Sequence, residues 1–423
     1  MVQRPQRKPH HRLTRPHRIR TRKRRGHLLP RPLSMGKKSY RLIAWGVIWL
    51  LTIGSLRATL LAAEICPASS KEELHLSAKA AANWIVQNQS DNGRYLYEVK
   101  MSEAGSPIIS DGYNLVRHAG TTMALYQIVE EGEPQYLEAA DAGLKYLLDR
   151  SVGNEEILAV AEGSADAKLG TASLLAISLI KRRAATGDKQ YDQTLEMLGN
   201  FIITMQREDG SMLYLWDQQT ASPVPEITSL FATGEALWAL ASLHNLFPEK
   251  GWDHLAFRTL DYMATQRDED ENVWPRPWAD QWAAYSLNEM SEWGLSEIHI
   301  QYARELAAQF GIAVRWESQR NGGLDGLVHS PEPIAAGQGT WIEAIGMLHQ
   351  LSEDEPRLED LRIPLQERLL CAAGRMRVKQ TTGTGTVEFD GGWFTGGVSR
   401  VDGQQHALSG LLFAALSLDE QGQ

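Results

Sequence analysis

From Glu64 onward, apolar residues recur at helical spacing over long stretches, and strict two-residue alternation is almost absent. Leu74, Leu76, Ala78, Ala81, Trp84 and Ile85 form the first stripe and predict a helix over 70–87. A polar and aromatic loop with Tyr95, Tyr97 and Asp111 follows. Then comes a different segment, rich in Ala, Gly, Ser and Leu, starting at Arg117-His118-Ala119-Gly120. The same order repeats: 134–150 then 168–183, 188–207 then a helix from Thr233, 252–267 then a segment ending near Trp293. The last two pairs are 296–317 then 339–351, and 358–379 then 404–418. Pro364 predicts a kink or a later start in its helix. Small residues allow close approach, so those segments are predicted to line a central axis while the amphipathic ones lie outside. The expectation is all-α: twelve helices in six hairpins, an (α/α)6 toroid built by residues 64–423 as a single domain.

Several outer segments end in Gln followed by a Gly-containing turn: Gln89-Ser90-Asp91-Asn92-Gly93, Gln206-Arg207-Glu208-Asp209-Gly210-Ser211 and Gln319-Arg320-Asn321-Gly322-Gly323. This resembles the Gln-x-x-Asp-Gly-Ser turn of terpenoid cyclase and prenyltransferase repeat proteins. It is also similar to turns in six-hairpin glycosidases, polysaccharide lyases and uronyl epimerases. The resemblance is architectural and implies the toroid without carrying over catalytic residues. The turns themselves read as structural, with Gly in a left-handed helix cap and Gln tying down neighbouring backbone. No Asp-x-Asp-Asp acid motif is present, and two cysteines do not supply a Cys/His zinc set. The glycan-active branch of the architecture remains.

Charge divides the chain. Residues 1–63 hold 16 Lys or Arg and no Asp or Glu, so the remaining 27 basic and 52 acidic residues leave the body at −25. Such a body is a poor partner for nucleic acid. Residues 1–34, dominated by Arg, His and Pro, read either as a basic arm or as sequence ahead of a true start at Met35. Residues 35–63 read as an export signal: Lys37, Lys38 and Arg41, the apolar run 42–56, then Leu60-Leu61-Ala62-Ala63. Uncleaved, the same segment would be a membrane anchor. Cys66 and Cys371 either pair, joining the first and last units of a ring, or serve as buried apolar fillers.

The loops before the inner helices surround the mouth of the predicted funnel, where helix N-termini favour anions. Catalytic candidates there are Asp111, Arg117, His118, Asp280, Asp402 and His406. Candidate substrate-binding residues are Tyr113, Glu162, Asp166, Glu226, Glu235, Trp274, Arg276, Trp278, Gln338, Trp393, Arg400 and Gln405. Glu343 belongs to the same collection. Two chemistries fit. Glycoside hydrolysis needs two carboxyl groups; uronate elimination or epimerisation needs a base beside a cation, as Arg117-His118 and Arg400 with His406 provide. Bland roles compete with these: Asp280 and Asp402 as helix caps, Glu235 as a complement to the helix dipole, His118 as a core histidine. No metal, phosphate-loop or dinucleotide motif appears, so no cofactor is expected. The leading reading is an exported enzyme acting on a polysaccharide. A non-catalytic envelope protein binding a glycan or other polymer is the alternative, and a terpenoid-type cyclase a more distant one.

Overall fold

Ser70 opens the first outer helix with a reciprocal cap: its hydroxyl accepts from the Glu73 N–H at 3.2 Å, and the Glu73 carboxylate takes the Ser70 N–H at 2.9 Å. Two of the donors that a helix start leaves open are thereby satisfied. The structure, a computed structural model, describes residues 37–60, 62–274, 276, 279–320 and 332–418. Among the described residues, twelve helices alternate as the periodicity predicts. The outer ones are Lys71–Gln87, Leu137–Leu148, Asp192–Thr204, Asp253–Thr265, Glu297–Ser318 and Arg362–Val378. The inner ones are Leu115–Glu130, Leu169–Thr186, Ala232–Leu246, Gln281–Glu289, Ala335–Asp354 and Val401–Leu416. Pro364 falls in the first turn of its helix, behind a 3-10 segment Pro356–Leu361, so it delays the helix rather than kinking it.

Composition sorts the helices. Every residue from Ala232 to Leu243 on the third inner helix is buried, whereas the first outer helix buries only one face. Leu76, counted in the predicted stripe, stands 56% exposed. The inner helices pack on one another in chain order, and the sixth returns to the first, closing the ring.

Packing differs from the predicted pairing in one respect. The second, third, fourth and sixth outer helices lie mainly behind the inner helix that precedes each, because those connections are short and favour antiparallel neighbours, whereas the fifth lies more against the inner helix that follows it. The first outer helix, which has no predecessor, lies instead behind the sixth inner helix. The chain therefore overlaps itself. Several bonds hold the overlap: the Cys66–Cys371 disulfide with Cα atoms 4.5 Å apart, the Gln380 amide to the Ser77 carbonyl at 3.0 Å, and the Trp84 indole N–H to the Glu388 carbonyl at 2.8 Å. Of the two readings of the cysteines, the structure takes the paired one.

The Gln turns join neighbouring outer helices. Gln89 Nε2 donates to the Ala139 carbonyl at 3.0 Å, and Gln206 Nε2 to the Leu255 carbonyl at 2.8 Å and Thr259 Oγ1 at 2.7 Å. Gly93 and Gly210 have φ of 85° and 91°, and a Cβ on either would collide with a carbonyl of the next outer helix, Ala142 or Arg258. They sit in tight turns after the helix end, not in the helix caps that the turn pattern suggests. In the third turn Gln319 donates to the Ala62 carbonyl at 3.1 Å; 321–323 lie outside the described residues.

The loops also contain short strands. Glu98–Met101 pairs antiparallel with Pro107–Ile109 and with Val398–Arg400, and Ala167–Lys168 pairs with Leu215–Asp217. Segments of two to four residues are too short for alternation to announce. The first of these sheets sets Arg400 at the entrance to the sixth inner helix.

The N-terminal unit holds a helix, Lys37–Leu60, whose apolar window Lys38–Leu56 spans 19 residues at mean hydropathy 1.3. It is long and apolar enough to cross a membrane, a property that signal sequences share. Residues 1–34 lie outside the described residues.

Candidate active site

The N-terminal ends of the inner helices and the loops feeding them enclose a cavity of about 540 Å³. Arg117 comes from the first inner helix, Glu235 from the third, Trp282 from the fourth, Trp341 from the fifth, and Asp402, Gln405 and His406 from the sixth. Arg400 and Tyr214 enter from loops.

One wall is an Arg–Asp–Arg cluster. Arg117 Nε lies 2.9 Å from Asp402 Oδ2, and Arg400 approaches the same carboxylate with Nε at 3.1 Å and Nη2 at 2.7 Å. Arg117 also meets the Tyr97 hydroxyl. Both oxygens of the Asp402 carboxylate are thus committed to guanidinium groups.

Beside it, His406 Nδ1 is 2.6 Å from Glu343 Oε2, and the Tyr285 hydroxyl donates to Glu343 Oε1 at 3.1 Å. Glu343 is fully buried. His406 Nε2 has no hydrogen-bond partner among the described residues, and the ring lines the cavity. Burial pulls the imidazole pKa down, but the adjoining Glu343 carboxylate outweighs it and holds it above its ordinary value.

Glu235 is only 5% exposed, yet its carboxyl has no hydrogen bond to any described residue. It lies against the Cα of Gly170 on the second inner helix, where any side chain would displace it. Burial, helped by the charge of Asp280, pushes its pKa up to about 8. At neutral pH it therefore keeps its proton. The third and sixth inner helices face each other across a ring of six, so Glu235 and His406 stand on opposite walls.

Asp280 itself is wholly buried, bonded to the equally buried Arg267 at 2.7 Å, and caps its helix by accepting the Trp282 N–H at 2.9 Å. It does not line the cavity. Neither does His118, which is packed in the core. Its Nε2–H donates to the Gly143 carbonyl at 2.8 Å, its Nδ1 accepts the Tyr113 hydroxyl at 2.5 Å, and its ring stacks on Tyr146 with centroids 4.7 Å apart. Burial drives its pKa down to about 3, so it stays neutral. Tyr113 is spent on that contact and on the Tyr95 N–H.

Asp111, Glu162, Asp166, Glu226 and Arg276 are exposed on loops and do not line the cavity, and Trp274 is 83% exposed. Trp278 lies outside the described residues. Gln338 is buried between the Pro333 carbonyl at 2.8 Å and Lys379 at 3.2 Å. Trp393 donates to the Met376 carbonyl at 2.8 Å and borders a side cavity of about 110 Å³ that shares the Arg400–Asp402 wall. Of the predicted residues, the structure thus brings together Arg117, Glu235, Arg400, Asp402, Gln405 and His406. Glu343, already in the funnel-mouth collection, joins them, and the structure adds Tyr285, Trp282, Trp341 and Tyr214. The signal for Glu343, as for Glu235, is a carboxylate inside an otherwise small and apolar inner helix.

No protein-family model matches the sequence, and no curated protein matches it either. Solved structures do match in fold. Cellobiose 2-epimerase from Spirochaeta thermophila superposes with a TM-score of 0.58 at 16% identity, covering 84% of this chain and 97% of its own. An unsaturated glucuronyl hydrolase specific for heparin gives 0.57 at 13%, covering 83% and 99%. A GH76 alpha-mannanase from Bacteroides thetaiotaomicron gives 0.56 at 13%, covering 83% and 97%. The fold is the six-hairpin (α/α)6 toroid. These structural neighbours of the toroid are carbohydrate-active enzymes. At such identities the likeness establishes architecture and not activity.

Proposed function

We propose that this toroid is an enzyme acting on a carbohydrate, a polysaccharide or a fragment of one, by acid–base proton transfer. The observation that carries the reading is the pair facing across the cavity: His406, held at Nδ1 by a buried carboxylate with Nε2 open, and Glu235, buried and protonated. In its neutral form, which the raised pKa shifts toward higher pH, His406 would take a proton from a sugar carbon next to a carbonyl or carboxylate. Arg117 and Arg400 would stabilise the negative charge that develops there, while Glu235 would supply a proton. Where that proton lands sets the outcome: the opposite face of the same carbon gives an epimer, a neighbouring carbon an isomer, a departing oxygen an elimination.

Hydrolysis is the second reading, favoured by Glu235 as a protonated acid. It needs a second, working carboxylate. Asp402 is the one lining the cavity, and its oxygens are held by Arg117 and Arg400. Export is supported by the apolar helix Lys37–Leu60 and by the disulfide, which suits an oxidising compartment.

A panel of reducing sugars, neutral glycans and uronic-acid glycans in deuterated water tests the proposal. Carbon-bound deuterium in recovered sugar, or unsaturated product, is expected with wild type and is lost in His406→Asn. Release of reducing ends with neither carbon-bound deuterium nor unsaturated product would replace proton transfer by hydrolysis. Ligand binding with no reaction of any kind would make the toroid a binding protein.

A further inference from the structure

We propose that Tyr285, acting through Glu343, is a positioning residue that fixes the imidazole of His406; this rests on the acid–base reading of the site. Tyr285 stands on the fourth inner helix, Glu343 on the fifth and His406 on the sixth, with 58 and 63 residues separating the two bonded pairs. The Tyr285 hydroxyl occupies Glu343 Oε1 at 3.1 Å, which leaves Oε2 to His406 Nδ1 at 2.6 Å. The carboxylate cannot turn away without losing a donor in a place closed to water. Nearby, Ser409 Oγ on the sixth helix donates to Gln127 Oε1 on the first at 2.6 Å. The chain of bonds from Tyr285 through Glu343 thus ties together three of the six inner helices, and its end at the cavity is the imidazole.

Chemistry follows from the arrangement. With Nδ1–H given to Glu343, the neutral ring keeps its lone pair on Nε2, the nitrogen without a protein partner. Trp282, with its ring centroid 5.9 Å away, packs beside the imidazole, and Gly339 lets the fifth helix close on the His406 backbone. The titratable and charged groups around His406 are Glu343 from the fifth helix, Tyr285 from the fourth, Arg117 from the first and Asp402 from its own, with Arg400 bound to Asp402. Burial holds the Tyr285 phenol far above its ordinary pKa, so it acts as a neutral donor and not as an acid.

The test follows His406 by nitrogen-15 NMR, reading tautomer and titration, beside the pH dependence of kcat. Wild type and the variants Tyr285→Phe and Glu343→Gln are compared. Removing the phenol oxygen takes a donor from the form with neutral His406 and anionic Glu343. That pair then binds its proton more tightly and titrates at higher pH, with about a tenfold loss of rate on the acid side, the size of one hydrogen bond to a charge. Glu343→Gln removes the negative charge, so His406 titrates at lower pH and loses its single tautomer. Opposite displacements support the proposal. Unmoved titrations, or displacements of the same sign, overturn it. Opposite displacements in a protein that turns over no sugar would keep the positioning role and remove the enzymatic reading. An even loss of turnover at all pH values, with titrations unmoved, would do the reverse. Should Glu343→Gln fail to fold, the upward displacement in Tyr285→Phe decides the matter alone.

Discussion

Glu235 links the chemistry of the site to the stability of the protein. Its folded pKa of about 8 lies above the usual 4.5, so the folded state binds this proton more tightly than the unfolded chain. The stabilisation is complete below about pH 4.5 and is lost as pH rises through about 8. In urea titrations wild type should therefore weaken between about pH 5 and 8 by an amount on the order of a few kcal/mol. Glu235→Gln, permanently neutral, should flatten that slope. If Glu235 is the proton donor, the same variant loses about 10²–10⁴-fold in rate; a role limited to packing would change only the stability. Arg117, Asp402 and His406 were legible in the sequence because they stand at the entrance to small-residue helices. Asp402 and His406, four apart, share a helix face. Arg117 and His118 are consecutive and so point about 100° apart, which sends Arg117 to the cavity and His118 to the Gly143 carbonyl. Glu343 and Tyr285 could not be matched to His406 in the same way, since each partner lies on a different helix and sequence carries no distance between them.

Helices were the readable elements, because burial on one face or all round imposes a period that survives over many residues. What the period does not reveal is which neighbour a helix lies against. The Gln turns supply that information chemically, with the side chain of one turn bonded to the next outer helix. Gln206→Ala should cost about 1–2 kcal/mol by leaving its acceptors unpaired. Gly210→Ala should cost about 1–3 kcal/mol through its positive φ and the Arg258 carbonyl behind it. Urea midpoints check both, and His406 should keep the same NMR titration in each, because neither residue touches the cavity.

At the scale of the whole molecule, the ring is fastened by a bond between residues 305 positions apart. Closing so long a loop in the unfolded chain corresponds to roughly 6 kcal/mol in the chain-entropy model. Cys371→Ser should lower the urea midpoint accordingly, and reduction of wild type should have a similar effect that is absent from the variant. Equal midpoints with and without reductant would remove the fastening role.

The overlap of the two ends also has a consequence for synthesis. The first outer helix, among the earliest toroid segments made, is covered by the last inner helix, Val401–Leu416. Until that segment emerges, the face bearing Leu74, Ala78, Ala81 and Ile85 lacks its main neighbour. A nascent chain interrupted before Val401 would lack Asp402 and His406 and would leave this greasy stripe open to chaperones and proteases. Truncated products should therefore be cleared rather than accumulate.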